Sequence, residues 1–82
     1  MQDRLGDKVR LQHVLEAIMK ISEYVEGETF ESFSGNSMIL DACLRQLQII
    51  GEACNKVSSI LREDYKEIPW SEIIGLRIIV VH

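Results

Sequence analysis

Arg77 and His82 are the two residues of this 82-residue chain whose types and spacing could do chemistry together. Four aliphatic residues, Ile78-Ile79-Val80-Val81, separate them. A histidine titrates near neutrality and can move a 2′-hydroxyl or leaving-group proton. An arginine keeps its charge and can stabilise the charge that builds on phosphoryl oxygens. The chemistry suits cleavage of an RNA phosphodiester. An arginine and a histidine also fall at such a spacing by chance, so the pair needs context.

The other common templates are absent. The chain has no glycine-rich phosphate loop, no CxxC pair and no HExxH, and its serines lack a His/Asp pair. His13 has no second metal-type ligand at helical spacing and reads as a surface histidine. The acidic residues are scattered over the polar stripes of the expected helices, where they are solvated.

The elements that must position Arg77 and His82 are helices. A composition of 46% hydrophobic residues, one proline and long periodic segments predicts an all-α protein forming one domain over residues 1–82. With two Phe, two Tyr and one Trp the core is mainly aliphatic. The net charge of −4 argues against a protein that coats DNA, while leaving room for a local basic spot. Cys43 and Cys54 lie eleven residues apart on one expected helix, about 16 Å at the helical rise, too far to pair. They read as small buried hydrophobes of a reducing compartment. No apolar leader and no run of about 20 apolar residues is present, so a cytoplasmic protein without a membrane span is expected.

The longest periodic stretch is Met38–Arg62. Leu40, Cys43, Leu47, Ile50, Cys54, Val57 and Leu61 draw one apolar seam, and Ile39, Ala42, Ile49, Ala53 and Ile60 a second, broken by Gln46 and Lys56. Asp41, Arg45, Gln48, Glu52, Asn55, Ser59 and Arg62 form a polar stripe. Two adjacent seams predict a helix with neighbours on two sides. Gly51 in its middle costs about 1 kcal/mol against alanine, which points to close backbone packing or a functional neighbour.

Before this helix, Asp7 is a plausible N-cap for a helix running to about Glu26, with Leu11, Val14, Ile18, Ile21 and Val25 as its seam, widened by Leu15 and Met19. A start nearer Asp3 is the alternative. Gly27 is its C-cap. Thr29 caps a single turn, Phe30–Phe33, whose two Phe are expected to plug one end of the bundle, and Asn36 or Ser37 caps the central helix. After a polar hinge at Glu63–Glu67, a third helix should start near Pro69. Trp70, Ile73 and Ile74 would be its buried face, with Gly75 allowing close approach. Propensity alone reads Ile78–Val81 as a strand. No other segment offers a partner strand, so it is expected to continue the helix.

Ile49-Ile50-Gly51-Glu52-Ala53, then Ile68-Pro69-Trp70 and Gly75-Leu76-Arg77…His82, together with Arg10-Leu11-Gln12-His13-Val14-Leu15 and the Phe30–Phe33 turn, resemble the HepT-like toxin family of the HEPN superfamily. The resemblance implies an antiparallel helical bundle that dimerises. It implies a metal-independent endoribonuclease toxin needing no cofactor, its Arg-x4-His motif at the dimer cleft. The implied partners are a second copy, an RNA substrate and a minimal nucleotidyltransferase antitoxin. Arg77 and His82 carry over as the catalytic pair, and Arg45 and Glu52 as residues lining the same cleft, where a solvated helix face is the plain alternative. The family has asparagine directly after the motif arginine, where this chain has Ile78. It also continues to a tyrosine and a final helix, which this chain, ending at His82, is expected to lack. A rival reading from another class is a truncated, catalytically inert HEPN helical module acting only in dimerisation or partner binding.

Overall fold

The structure is a computed structural model and describes residues 4–79. It is all-α: among the described residues there is no strand. The elements are α1 (Arg4–Val25), α2 (Phe30–Ser34), α3 (Ser37–Asn55), α4 (Ser59–Asp64), α5 (Trp70–Ile74) and a closing 3₁₀ turn, Gly75–Ile78. The helices form an antiparallel bundle in which α1 packs along α3, and α5 with the 3₁₀ turn lies against another side of α3. The expected continuation of the helix holds for Ile78, whereas Ile79 is already extended (φ −65°, ψ 128°). Val80, Val81 and His82 lie outside the described residues.

Local sequence accounts for most boundaries. Gly27 ends α1 with φ 77°, a backbone conformation that side chains disfavour. Thr29 caps α2 in a full capping box: Ser32 N donates to Thr29 Oγ1 (3.0 Å) and Thr29 N to Ser32 Oγ (2.9 Å). Asn36 caps α3, its Oδ1 accepting from Met38 N and Ile39 N at 3.1 Å each. The third helix starts at Trp70, just after Pro69, and Trp70 Nε1 donates to Tyr65 O at 3.0 Å.

The expected single helix over Met38–Arg62 is two helices. The chain leaves α3 after Asn55, buries Val57, and starts again with Ser58 as a new N-cap whose Oγ accepts from Leu61 N (3.1 Å). Asp7 holds this break. It is not the N-cap of α1, which starts at Arg4. Its carboxylate accepts from Ser58 N (2.8 Å) and Ser58 Oγ (2.6 Å). These bonds hold the Asp7 carboxyl below its ordinary range, the hydroxyl contact being the larger cause. From the far side Arg62 Nη2 donates to Cys54 O (3.0 Å), which also accepts from Val57 N (3.2 Å), and to Asn55 O (2.8 Å), so a charged donor reaches two carbonyls at the end of α3.

The core is thin. Its buried apolar side chains are Ala17, Cys43, Ile50, Ala53, Cys54 and Val57, all small except Ile50. Val14, Ile21, Leu47, Ile49, Trp70, Ile73, Ile74 and Leu76 pack partly buried around Ala17, Ile50 and Cys54. Both cysteines are free and buried, as their spacing predicts, and burial pushes the Cys54 thiol up. Gln46 is also buried, so it completes the apolar arc it was expected to break. Much of the expected seam of α1 is uncovered: Leu11, Leu15, Ile18 and Met19 are exposed. Phe33 is half-buried but Phe30 is 81% exposed, so the pair does not plug the bundle.

Candidate active site

The mid-helix Gly51 meets the motif arginine directly. A Cβ on Gly51 would stand 2.5 Å from Arg77 N, 3.1 Å from Arg77 Cα and 3.1 Å from Ile73 O. All three are main-chain atoms, which no side-chain rotation could clear. The glycine is therefore a notch in α3 into which the backbone of the 3₁₀ turn fits. Gly75, expected to allow a similar approach, does not: a Cβ there would meet nothing within 4 Å.

Three further contacts fix the turn. Trp70 anchors the start of α5 through its indole N–H, while Ile73, Ile74 and Leu76 pack on the Ile50–Cys54 core. Beyond Arg77, Gln48 Nε2 donates to Ile79 O at 2.9 Å. Periodicity puts Gln48 on the polar stripe, where a solvated side chain is expected. The structure corrects this: the side chain is half-buried and spans to the segment leading to His82. The one signal for it was its place one turn before Gly51 on the same side of the helix.

Arg77 itself is exposed. Its backbone is enclosed, while among the described residues its guanidinium has no hydrogen bond or ion pair to protein. The proposed partner His82 lies outside the described residues.

Arg45 and Glu52 are brought together, with Arg45 Nη1 3.9 Å from Glu52 Oε1 and both side chains more than half exposed. Such a pair contributes at most about 1 kcal/mol. They lie on the stripe of α3 that contains Gln48. On the far side of the stripe Glu52 shares a shallow recess with Arg10, His13, Ile49, Ala53 and Lys56. The exposed strip of α3 thus runs between the Arg77 segment and the first half of α1. Around it stand Arg10, Arg45, Lys56 and Arg77 against the carboxylates of Asp41 and Glu52, a local positive balance in a chain of net charge −4. Among the described residues no group of three or more His, Cys, Asp or Glu is placed to hold a metal ion, and no helix is long and apolar enough to cross a membrane.

Comparison with known proteins identifies the family. Residues 14–82 match the family described as Ribonuclease HepT-like. A Methanocaldococcus jannaschii protein named as a candidate RNase is 36% identical over 75 residues, 92% of this chain and 69% of that protein. A candidate RNase of Caldanaerobacter subterraneus is 36% identical over 72 residues, 88% of this chain and 64% of its own length. A second M. jannaschii protein, named as a gamma-glutamylcyclotransferase and candidate RNase, is 38% identical over 74 residues, 90% of this chain but 33% of that protein. The chain therefore spans about two thirds of the shorter relatives and one third of the longer one. No solved structure matches it.

Proposed function

The chain belongs to the HepT-like ribonuclease family, and from that premise we propose that it is an endoribonuclease whose Arg77 and His82 act on one RNA phosphodiester. The observation that carries the reading is the seat of Arg77. Gly51 admits its main chain to van der Waals contact with α3, while the guanidinium is left to meet an anion. In the reaction His82 takes the proton of the attacking 2′-hydroxyl or gives one to the leaving oxygen. Arg77 holds the phosphoryl oxygens as their charge grows. Arg45 and Glu52, with the cations of the neighbouring recess, form the surface over which the RNA backbone runs. The step uses the protein's own side chains and needs no metal ion.

The wider reading follows the family resemblance. The protein works as a cytoplasmic toxin, its cleft is shared by two copies, and a minimal nucleotidyltransferase antitoxin restrains it. The exposed apolar residues of α1 and Ile78, 72% exposed beside Arg77, are consistent with a surface that a second copy covers.

The test is cleavage of a single-stranded RNA by the purified protein in excess chelator. Arg77→Ala should lower the rate by roughly 10²–10³-fold, and His82→Ala by roughly 10²–10⁴-fold. A wild-type protein that leaves RNA intact, or variants that cut as fast as wild type, would overturn the proposal. Light scattering that returned the mass of one 9.4 kDa chain at working concentration would remove the shared cleft.

A further inference from the structure

We infer that Gln48 is a positioning residue for the Arg77–Ile79 segment, its side-chain amide fixing the backbone just beyond the proposed reacting Arg77. The inference rests on the ribonuclease reading and extends it to a residue whose sequence context marks it only as surface-polar.

The geometry is a grip at two points. Gly51 receives the backbone at Arg77, and Gln48, one helical turn earlier on α3, holds the Ile79 carbonyl at 2.9 Å. Between these points the chain changes conformation, from the 3₁₀ turn ending at Ile78 to the extended Ile79. The internal bond at this exit, Ile79 N to Leu76 O, is long at 3.3 Å. Seating at Arg77 and this long bond hold the chain up to the Ile79 amide N–H and do not by themselves orient the Ile79 carbonyl. A second fixed point two residues later sets the orientation of the Ile79 carbonyl, where the described chain ends. Among the described residues, Gln48 is the side chain that supplies it.

The chemistry of the contact is specific. A carbonyl oxygen needs a donor, and the glutamine amide has two N–H groups at the end of a side chain long enough to reach. Methionine matches the length and donates nothing. Glutamate matches the shape, but its ionised form can only accept and would face the Ile79 oxygen with like charge. Once protonated, its carboxyl can donate again.

The experiment compares wild type, Gln48→Met, Gln48→Glu and Arg77→Ala in steady-state cleavage of a short RNA, at a temperature where circular dichroism shows each to be folded. Gln48→Met should lose about tenfold or more in kcat with KM within about twofold, because misplacement of the reacting groups costs rate rather than binding. Gln48→Glu should show the same loss near neutral pH. Its rate relative to wild type should recover as acid protonates the new carboxyl and restores a donor to the Ile79 oxygen. Wild-type kcat in Gln48→Met, or a Gln48→Glu to wild-type ratio that does not change with pH, would overturn the inference. Absence of Arg77-dependent cleavage in the wild type would instead sink the ribonuclease reading. The carbonyl ¹³C signal of Ile79 then decides. A change in Gln48→Met confined to Ile79 and its neighbours supports the two-point grip, and an unchanged signal overturns it.

Discussion

Arg62 and Arg77 lie fifteen residues apart in the second half of the chain and are held in opposite ways. Arg62 spends its guanidinium on the protein, donating to the carbonyls of Cys54 and Asn55 where α3 ends. Arg77 is fixed by its main chain, pressed into the notch at Gly51, and its side chain is exposed. An arginine whose guanidinium is turned onto the protein's own carbonyls stabilises a helix end and is not presented to a ligand. One whose backbone is held and whose donors are open can meet an anion without first breaking a bond. The same residue type is structural in one region and available for chemistry in the other, and the packing of the backbone makes the difference.

The sharpest way to break this contrast is at the notch. Gly51→Ala should destabilise the fold by about 1–3 kcal/mol, since a Cβ there overlaps main-chain atoms that can yield only by moving the 3₁₀ turn. Mid-helix alanine ordinarily gains about 1 kcal/mol over glycine. A urea melt showing Gly51→Ala as stable as wild type or more so would mean that the turn is not seated on α3.

Next in size is the pair of arginines. Arg62→Ala should lose about 1–2 kcal/mol, because two carbonyls lose a charged donor. Arg77→Ala should stay within about 0.5 kcal/mol, as expected for an exposed side chain, while losing activity. Equal losses of stability at the two positions would erase the distinction between them.

A smaller effect belongs to Asp7, which secures the same break in the helix that Arg62 caps. Its carboxyl titrates below the ordinary range because Ser58 donates to it twice. A lowered folded-state pKa adds stability at pH above the ordinary carboxylate range. That contribution is lost as pH falls through that range to the folded value. The melting temperature of wild type should therefore exceed that of Asp7→Asn at pH 6, and the gap should close on acidification to about pH 2. A gap that widened in acid would contradict the Asp7–Ser58 contact. The smallest effect is Gly75→Ala, expected within about 0.5 kcal/mol of wild type because a Cβ there meets open space. Set beside Gly51→Ala, it separates steric exclusion from a general cost of altering glycine.

Several features were legible because their causes are local. Gly27, Thr29 and Asn36 cap helices through bonds to residues within a few positions, and Pro69 sets the start of α5 by its own geometry. The cost of Gly51 in a helix interior signalled that something approaches closely there, and the structure identifies it as the Arg77 backbone. Periodicity misplaced Gln48 and extended α3 through residues 56–58. Apolar spacing carries across a break when Val57 and Leu61 happen to keep the phase.

By itself, then, the sequence determined an all-α bundle, the C-cap of α1 and the N-caps of α2 and α3, the two buried unpaired cysteines, and a motif arginine downstream of a helix-interior glycine. It carries these because hydrogen-bond capping, helical spacing and glycine's missing side chain act over at most a few residues. The tertiary structure decided the rest: that Asp7 and Arg62 close on the α3–α4 break from opposite directions, that Gln46 is buried while Leu11 and Leu15 are not, and that Gln48 reaches Ile79. Each of these depends on which distant segment lies over a given side of a helix. Helical phase marks the sides, but only packing of the whole chain chooses which of them is covered.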